Sequence, residues 1–317
     1  MKNSTYVMLG DELSHYHFGE DHPFGPKRYW AFKEEFEKRG LNKKVTLSKP
    51  AAATEKQLSL FHTQDYINKV KALSEKGEGY LDCGDTPAIK GIYENALTIV
   101  GTTLKAVDHI MHGDCQYAFT PIGGIHHSRR DRAAGFCIFN DCGIAIEYLR
   151  TQYKVQRIAY IDIDAHHGDG VFYEFEDDAD LCFVDLHQDG TTLYPGTGFI
   201  NETGKGAAIG TKLNIPLPPN STDKTALTFW KSAEAFIEKF KPEFILLQCG
   251  ADSLAGDPIT QLNLSSHFHA HVAKHLSLLA NKYSEGRLLA MGGGGYNLDN
   301  IKATWNDVIE SLIVSNK

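Results

Sequence analysis

The densest chemistry in this 317-residue chain is the run Ile161-Asp162-Ile163-Asp164-Ala165-His166-His167-Gly168-Asp169-Gly170. Alternation along a strand would put Asp162, Asp164 and His166 on one face and Ile161 and Ile163 on the other. Two carboxylates held side by side away from water repel, and one of them is driven to take up a proton. A divalent cation removes that cost, so the run reads as part of a metal site; the competing reading is a hydrogen-bonded cluster that caps a strand. A third ligand is available in Asp252, which follows the apolar run 244–250. One His and two Asp leave a coordination position open, which marks catalytic rather than structural zinc sites. A water activated there needs a base, and the tandem His126-His127 offers one. Each imidazole needs an orienting partner on its other nitrogen, for which Asp162 and Asp169 are the spare carboxylates. The run Gly292-Gly293-Gly294-Gly295-Tyr296 lets backbone pass close to the site, with the Tyr296 hydroxyl placed to donate to a developing oxyanion. By itself that run would equally be a flexible loop with a packing aromatic.

The remaining sequence must position these groups. Short apolar runs at 117–121, 157–163, 181–186, 212–217, 243–248 and 287–291 alternate with amphipathic stretches at 91–112, 142–153, 224–240, 265–283 and 300–314. The alternation predicts a three-layer α/β fold: an open, mostly parallel sheet with helices on both faces. Further helical runs are expected at 26–39 and 54–74, where Phe61, Tyr66, Ile67 and Val70 read as core. Five of the strands run into polar, Gly-rich segments, and the ligand crevice of such sheets lies outside the carboxyl ends of the strands. No linker, repeat or shift in composition divides the chain, so residues 1–317 read as one domain.

Composition narrows the classes of function. With 42% apolar and 23% charged residues the chain can bury a large core, which excludes disorder. A net charge of −8, with no run of five or six Lys/Arg, lacks the footprint of a nucleic-acid binder. No apolar run approaches the length of a membrane span and residues 1–10 lack a leader pattern, so the cytoplasm is expected and a membrane is not. The six cysteines, at 83, 115, 137, 142, 182 and 249, form no CxxC pair and read as reduced thiols. Nothing in the sequence sets an oligomeric state.

The residues also match a family pattern. The chain resembles the metal-dependent histone deacetylase superfamily, in its bacterial, acetoin-utilisation-like form with an arginase-like fold. The resemblance runs through Asp21-His-Pro-Phe-Gly-Pro-Lys-Arg28, Gly123-Gly-Ile-His-His-Ser-Arg-Arg-Asp-Arg-Ala-Ala-Gly-Phe-Cys-Ile-Phe-Asn-Asp141, 162–170, Tyr194-Pro-Gly-Thr-Gly198, Cys249-Gly-Ala-Asp-Ser-Leu-Ala-Gly-Asp-Pro258 and 291–297, in the family's order. It implies that Asp164, His166 and Asp252 hold one zinc ion, that His126 and His127 are the catalytic pair backed by Asp162 and Asp169, and that Tyr296 is the oxyanion donor. It further implies Gly135, Phe136 and Tyr194 as tunnel walls, Asp85 as a rim carboxylate that binds substrate amides, and Arg28 beside an internal channel. A potassium ion is implied beside the zinc, at Asp162, Asp164, His166, Asp185 and Leu186. Asp185 departs from the family's usual Ser, and Tyr194 from its commoner Phe.

The implied reaction is hydrolysis of an acylated amine by water activated at the metal, on an acylated lysine of a peptide or protein or on a small acylated amine. Ile259, where polyamine-selective relatives carry a Glu, favours acyl-lysine, with Asp257 two residues earlier as the reservation. Two other readings compete. A binuclear manganese ureohydrolase needs ligands where this chain has Gly168 and Leu254, and a non-catalytic acyl-lysine binder would not keep the full ligand set and Tyr296. His267, His271 and His275 share a helical face and could chelate a metal weakly, but read as a plain surface.

Overall fold

The computed structural model describes residues 5–315. In chain order the elements are β1 (Thr5–Met8), α1 (Lys27–Lys38), β2 (Thr46–Ser48), α2 (Glu55–Leu58), α3 (Gln64–Lys76), α4 (Ile92–Met111), β3 (Tyr117–Thr120), α5 (Asp141–Tyr153), β4 (Ile158–Asp162), α6 (Asp169–Glu174), β5 (Leu181–Gln188), β6 (Lys212–Leu217), α7 (Asp223–Phe240), β7 (Phe244–Gln248), α8 (Ser266–Tyr283), β8 (Leu288–Met291) and α9 (Leu298–Ser315). The strands form one eight-stranded sheet in the order β2-β1-β3-β8-β7-β4-β5-β6. Every pairing is parallel, as the alternation of strands and helices leads one to expect.

Strands β3, β4, β5, β7 and β8 are buried at every residue. Helices cover both faces of a parallel sheet, so its strands begin as continuous apolar runs rather than alternating ones, and those runs found them. The two strands that sequence reading missed are β1, of four residues, and β2, whose three residues are exposed or half-buried at the edge. β2 carries no apolar run to detect, whereas β1 does carry one, Tyr6-Val7-Met8, which the sequence reading passed over. The helix expected over 54–74 is two. Thr54 and Gln57 close a capping box on α2, and Thr63 accepts the Tyr66 amide to begin α3 afresh. The core residues come out as expected: Phe61, Tyr66, Ile67 and Val70 are buried.

Because all strands run one way, the loops after β3, β4, β5, β7 and β8 leave the same edge of the sheet. Those loops hold His126 and His127, Asp164 to Asp169, Tyr194, Asp252 and Tyr296 respectively. None of the helices among the described residues is long and apolar enough to cross a membrane. All six cysteines are unpaired, and Cys83 alone of them is exposed.

Candidate active site

Strand β4 ends at Asp162, so Asp164 and His166 stand on the loop beyond it and not on one strand face as alternation suggested. What brings them together is a pair of turns. The Asp162 carboxylate accepts the Asp164 amide at 3.1 Å, and the Asp164 carboxylate accepts the His166 amide at 2.9 Å. Asp252 sits in a short 3-10 turn after β7, where its Oδ1 accepts the Ala165 amide at 2.9 Å and ties the two loops.

The ligand-type atoms of Asp164, His166 and Asp252 lie within 4.8 Å of one another, all three residues are buried, and among the described residues no other such group of three occurs. His166 Nδ1 is 3.0 Å from Asp164 Oδ1 and 3.3 Å from Asp252 Oδ2. Asp252 Oδ2 is buried with no well-aligned hydrogen bond, and His166 Nδ1 is the positive group that faces it. Burial and the charge of Asp164 push the Asp252 carboxyl up to about 7, while hydrogen bonding to the two carboxylates, overcoming burial, lifts His166 to about 10. A cluster that raises a carboxyl and an imidazole together is short of positive charge, and a divalent cation fits it. A side chain at Gly250 would collide with Asp164 and one at Gly294 with Asp252, so only glycine lets both backbones close over this point.

The histidine pair is held from behind. Asp141, at the start of α5, accepts the amides of Gly124 and Ile125 and the Thr103 hydroxyl, which fixes the loop leading to His126. His126 Nδ1 meets Asp162 Oδ2 at 2.8 Å and His127 Nδ1 meets Asp169 Oδ1 at 2.7 Å. The two carboxylates are those expected from sequence, which left open which ring each one serves. Tyr160 adds a hydroxyl to Asp162 at 2.7 Å, and Arg129 a guanidinium N–H to Asp169 at 3.1 Å. The two environments separate the rings. Against burial, the carboxylates of Asp162 and Asp164 push His126 up to about 9; burial and then the charge of His126 pull His127 down to about 4. The surroundings therefore favour the charged form of His126 and the neutral form of His127. Its ring meets that of His166 edge-on at 5.9 Å.

Phe136 and Tyr194 flank the approach. The Tyr194 ring is 5.2 Å from His127 and 46% exposed, so it spans from the cleft floor to solvent. Gly135 has φ +54°, and a Cβ there would strike His127. The Phe136 ring meets Tyr296 edge-on at 5.9 Å. Burial and then the charge of Asp252 push the Tyr296 hydroxyl far above its ordinary range, so it keeps its proton and has it to donate. The space between His126, His127, Cys137, Asp164, His166 and Tyr296 is about 20 Å³, room for one water-sized group. Arg28 lies below, buried, with Nε on the Gly295 carbonyl at 2.8 Å, its guanidinium 5.6 Å from the Tyr296 ring, and Nη1 without a partner.

At the rim, Asp82 accepts the amides of Gly84, Asp85 and Thr86, and the Thr86 hydroxyl accepts the Phe136 amide at 3.1 Å. Asp85 is thereby hung from the tunnel wall. Ile259 is half-buried, and Asp257 is buried with both oxygens on backbone amides, so it does not present a charge to the mouth. Asp185 behaves differently from a free cation ligand. Its Oδ1 binds His187 Nδ1 at 2.7 Å, and its Oδ2 accepts the Gly168 amide at 2.8 Å. His187 Nε2 faces the Gly198 carbonyl at 2.9 Å, so both nitrogens meet acceptors and the ring is an imidazolium. Leu186 lies beside it in β5. On α8, His271 and His275 stack at 4.0 Å and His275 binds Glu234, which is the plain helical face expected.

Sequence reading missed Gln248. Its Nε2 donates to Asp164 Oδ2 at 2.8 Å, and its Oε1 accepts the Gly250 amide at 2.7 Å. The signal was present: one amide at the end of an otherwise apolar strand.

An open parallel sheet whose loops gather an Asp-His-Asp cluster and two His-Asp pairs is the build of a hydrolytic α/β enzyme. The family described as Histone deacetylase domain matches residues 22–312, and the chain belongs to that family of deacetylating hydrolases. Among its relatives, the acetoin utilization protein AcuC of Bacillus subtilis (strain 168) is 37% identical over 306 residues, covering 94% of this chain and 79% of that one. AcuC of Staphylococcus aureus (strain MSSA476) is 33% identical over 320 residues, covering 98% and 82%. The crystal structure of the HDA15 HD domain shares the fold, with a TM-score of 0.89 at 24% identity over 99% of this chain and 90% of that one.

Proposed function

We propose that the chain is a zinc-dependent hydrolase, one domain over 1–317, that removes acyl groups, acetyl first, from lysine side chains. The observation that carries this reading is the edge-on approach of the neutral His127 ring to His166, the histidine of the Asp-His-Asp cluster, at 5.9 Å. A base without charge of its own stands next to the point where a cation fits.

Asp164, His166 and Asp252 would hold the zinc, which would supply Lewis acidity to polarise the acyl carbonyl and make water a better nucleophile. His127, with Nδ1 committed to Asp169, keeps Nε2 to take the proton of the attacking water and return it to the leaving amine. His126, charged against Asp162, adds positive potential where negative charge develops. Tyr296 donates its hydroxyl to the oxyanion. Gly135, Phe136 and Tyr194 orient a linear acyl-lysine, and Asp85 accepts from the amides of its backbone.

For potassium the residues fit poorly: both Asp185 oxygens are taken, and His187 already balances its charge. No step runs through that ion. The six unpaired thiols support the cytoplasm as the place of work.

The test is turnover of an acetyl-lysine peptide, longer acyl-lysine peptides and acetylpolyamines by zinc-loaded protein, before and after chelation. Chelator-sensitive release of acetate is the expected result. Failure to hydrolyse any acylated amine overturns the proposal. The AcuC relatives are named for acetoin utilization, which specifies no amide, so the same screen decides between acyl-lysine and a small acylated amine.

A further inference from the structure

The Tyr296 hydroxyl makes no hydrogen bond to the described residues, so nothing at its own end holds it in place. Its ring is bordered by Phe136 and Arg28. Behind it the chain runs through Gly295 at φ +121°, a conformation with little intrinsic preference for where the next peptide points. The aim of the hydroxyl therefore depends on what grips the backbone at Tyr296 itself. That grip is Asp257, whose Oδ2 accepts the Tyr296 amide at 2.8 Å.

Asp257 is fixed in turn. Its Oδ1 accepts the Ile259 amide at 3.1 Å and its own amide donates to the Leu254 carbonyl. The side chain is buried and lies on the loop that continues from Asp252, so it joins the candidate metal loop to the glycine loop. Two N–H donors meeting two oxygens call for a carboxylate, since an amide in that place would turn an NH2 group toward one of them.

We propose that Asp257 is a positioning residue for Tyr296, holding its amide so that the hydroxyl points at the reacting carbonyl. The inference rests on the deacylase reading, in which Tyr296 is the oxyanion donor.

The experiment is a double-mutant cycle: wild type, Asp257→Ala, Tyr296→Phe and the double variant, each assayed for kcat and KM on an acetyl-lysine peptide and for zinc affinity. Asp257→Ala is expected to lower kcat about 10–100-fold, as a misplaced catalytic group does, with KM and zinc affinity within about twofold. In the Tyr296→Phe background, where there is no hydroxyl to aim, the same change should cost less than about threefold. Asp257→Asn keeps the shape and one acceptor, and should fall between wild type and Asp257→Ala. A loss of the same factor in both backgrounds overturns the inference and leaves the role of Tyr296 standing, whereas an unchanged kcat in Tyr296→Phe overturns the reading beneath it. Should Asp257→Ala fail to fold, Asp257→Asn run through the same cycle decides by the same criterion.

Discussion

The rings of His126 and His127 lie 4.1 Å apart, centroid to centroid, and each is bound to a different carboxylate. Two imidazolium ions at that distance repel, so the pair favours a single proton, and the carboxylates of Asp162 and Asp164, against burial, favour His126 as its place. Because the rings act as a unit, their removal should not be additive. His127→Ala is expected to lower kcat by about 10²–10⁴, and His126→Ala together with it should cost little beyond the larger single loss. Steady-state kinetics on the three variants at constant zinc loading check this. Multiplying losses would mean that the two rings act independently.

Chelation should destabilise as well as inactivate. Without a cation, Asp164 and Asp252 crowd His166 in a buried cluster, so a ligand that binds only the folded state raises its stability by mass action. One divalent ion per chain is expected by metal quantitation, with a fall in Tm on its removal and recovery when zinc is returned. Two ions per chain, both needed for turnover, would revive the ureohydrolase reading.

Gln248→Leu removes the donor that orients Asp164 and leaves the Gly250 amide without its acceptor. Groups that orient metal ligands typically carry about 10–100-fold in affinity, and a loss of that order in zinc Kd is expected. A competition titration with a chromogenic chelator measures it. An unchanged Kd would make the amide a spacer between loops.

Burial and the neighbouring Asp82 push the Asp85 carboxyl up to about 6. Above that pH it is an anion that accepts strongly from peptide amides; below it, protonation weakens the acceptor. KM for an acyl-lysine peptide should therefore rise as pH falls through about 6, with kcat moving separately, and Asp85→Asn should flatten the KM profile. An acetylated amine without backbone amides should show no such rise.

The mouth should disfavour polyamines. Ile259 offers no charge, and Asp257, two residues before it, is turned inward onto backbone amides. A distal ammonium left without a partner loses about 1–3 kcal/mol. kcat/KM for an acetyl-lysine peptide should exceed that for N-acetylputrescine and N8-acetylspermidine, and Ile259→Glu should narrow the gap. If either polyamine were turned over about tenfold better, the rim argument would fail.

Much of this is legible in the sequence because the chemistry is local. Asp164 and His166 are two residues apart, His126 and His127 are adjacent, and apolar strands ending in Gly-rich loops announce a parallel sheet whose carboxyl-end loops meet. That Asp162 and Asp169 serve the two imidazoles followed from counting spare acceptors, while which carboxylate takes which ring is a matter of the tertiary structure. The sheet order, and with it the junction of the loops after β4 and β7 that puts Asp252 opposite His166, belongs to the tertiary structure, because strand neighbours are set by packing between distant segments. So do the inward turn of Asp257, the engagement of Asp185 by His187, and the unequal charge on two identical side chains. Each depends on which groups face a buried atom once water has been excluded, and a linear sequence does not record that.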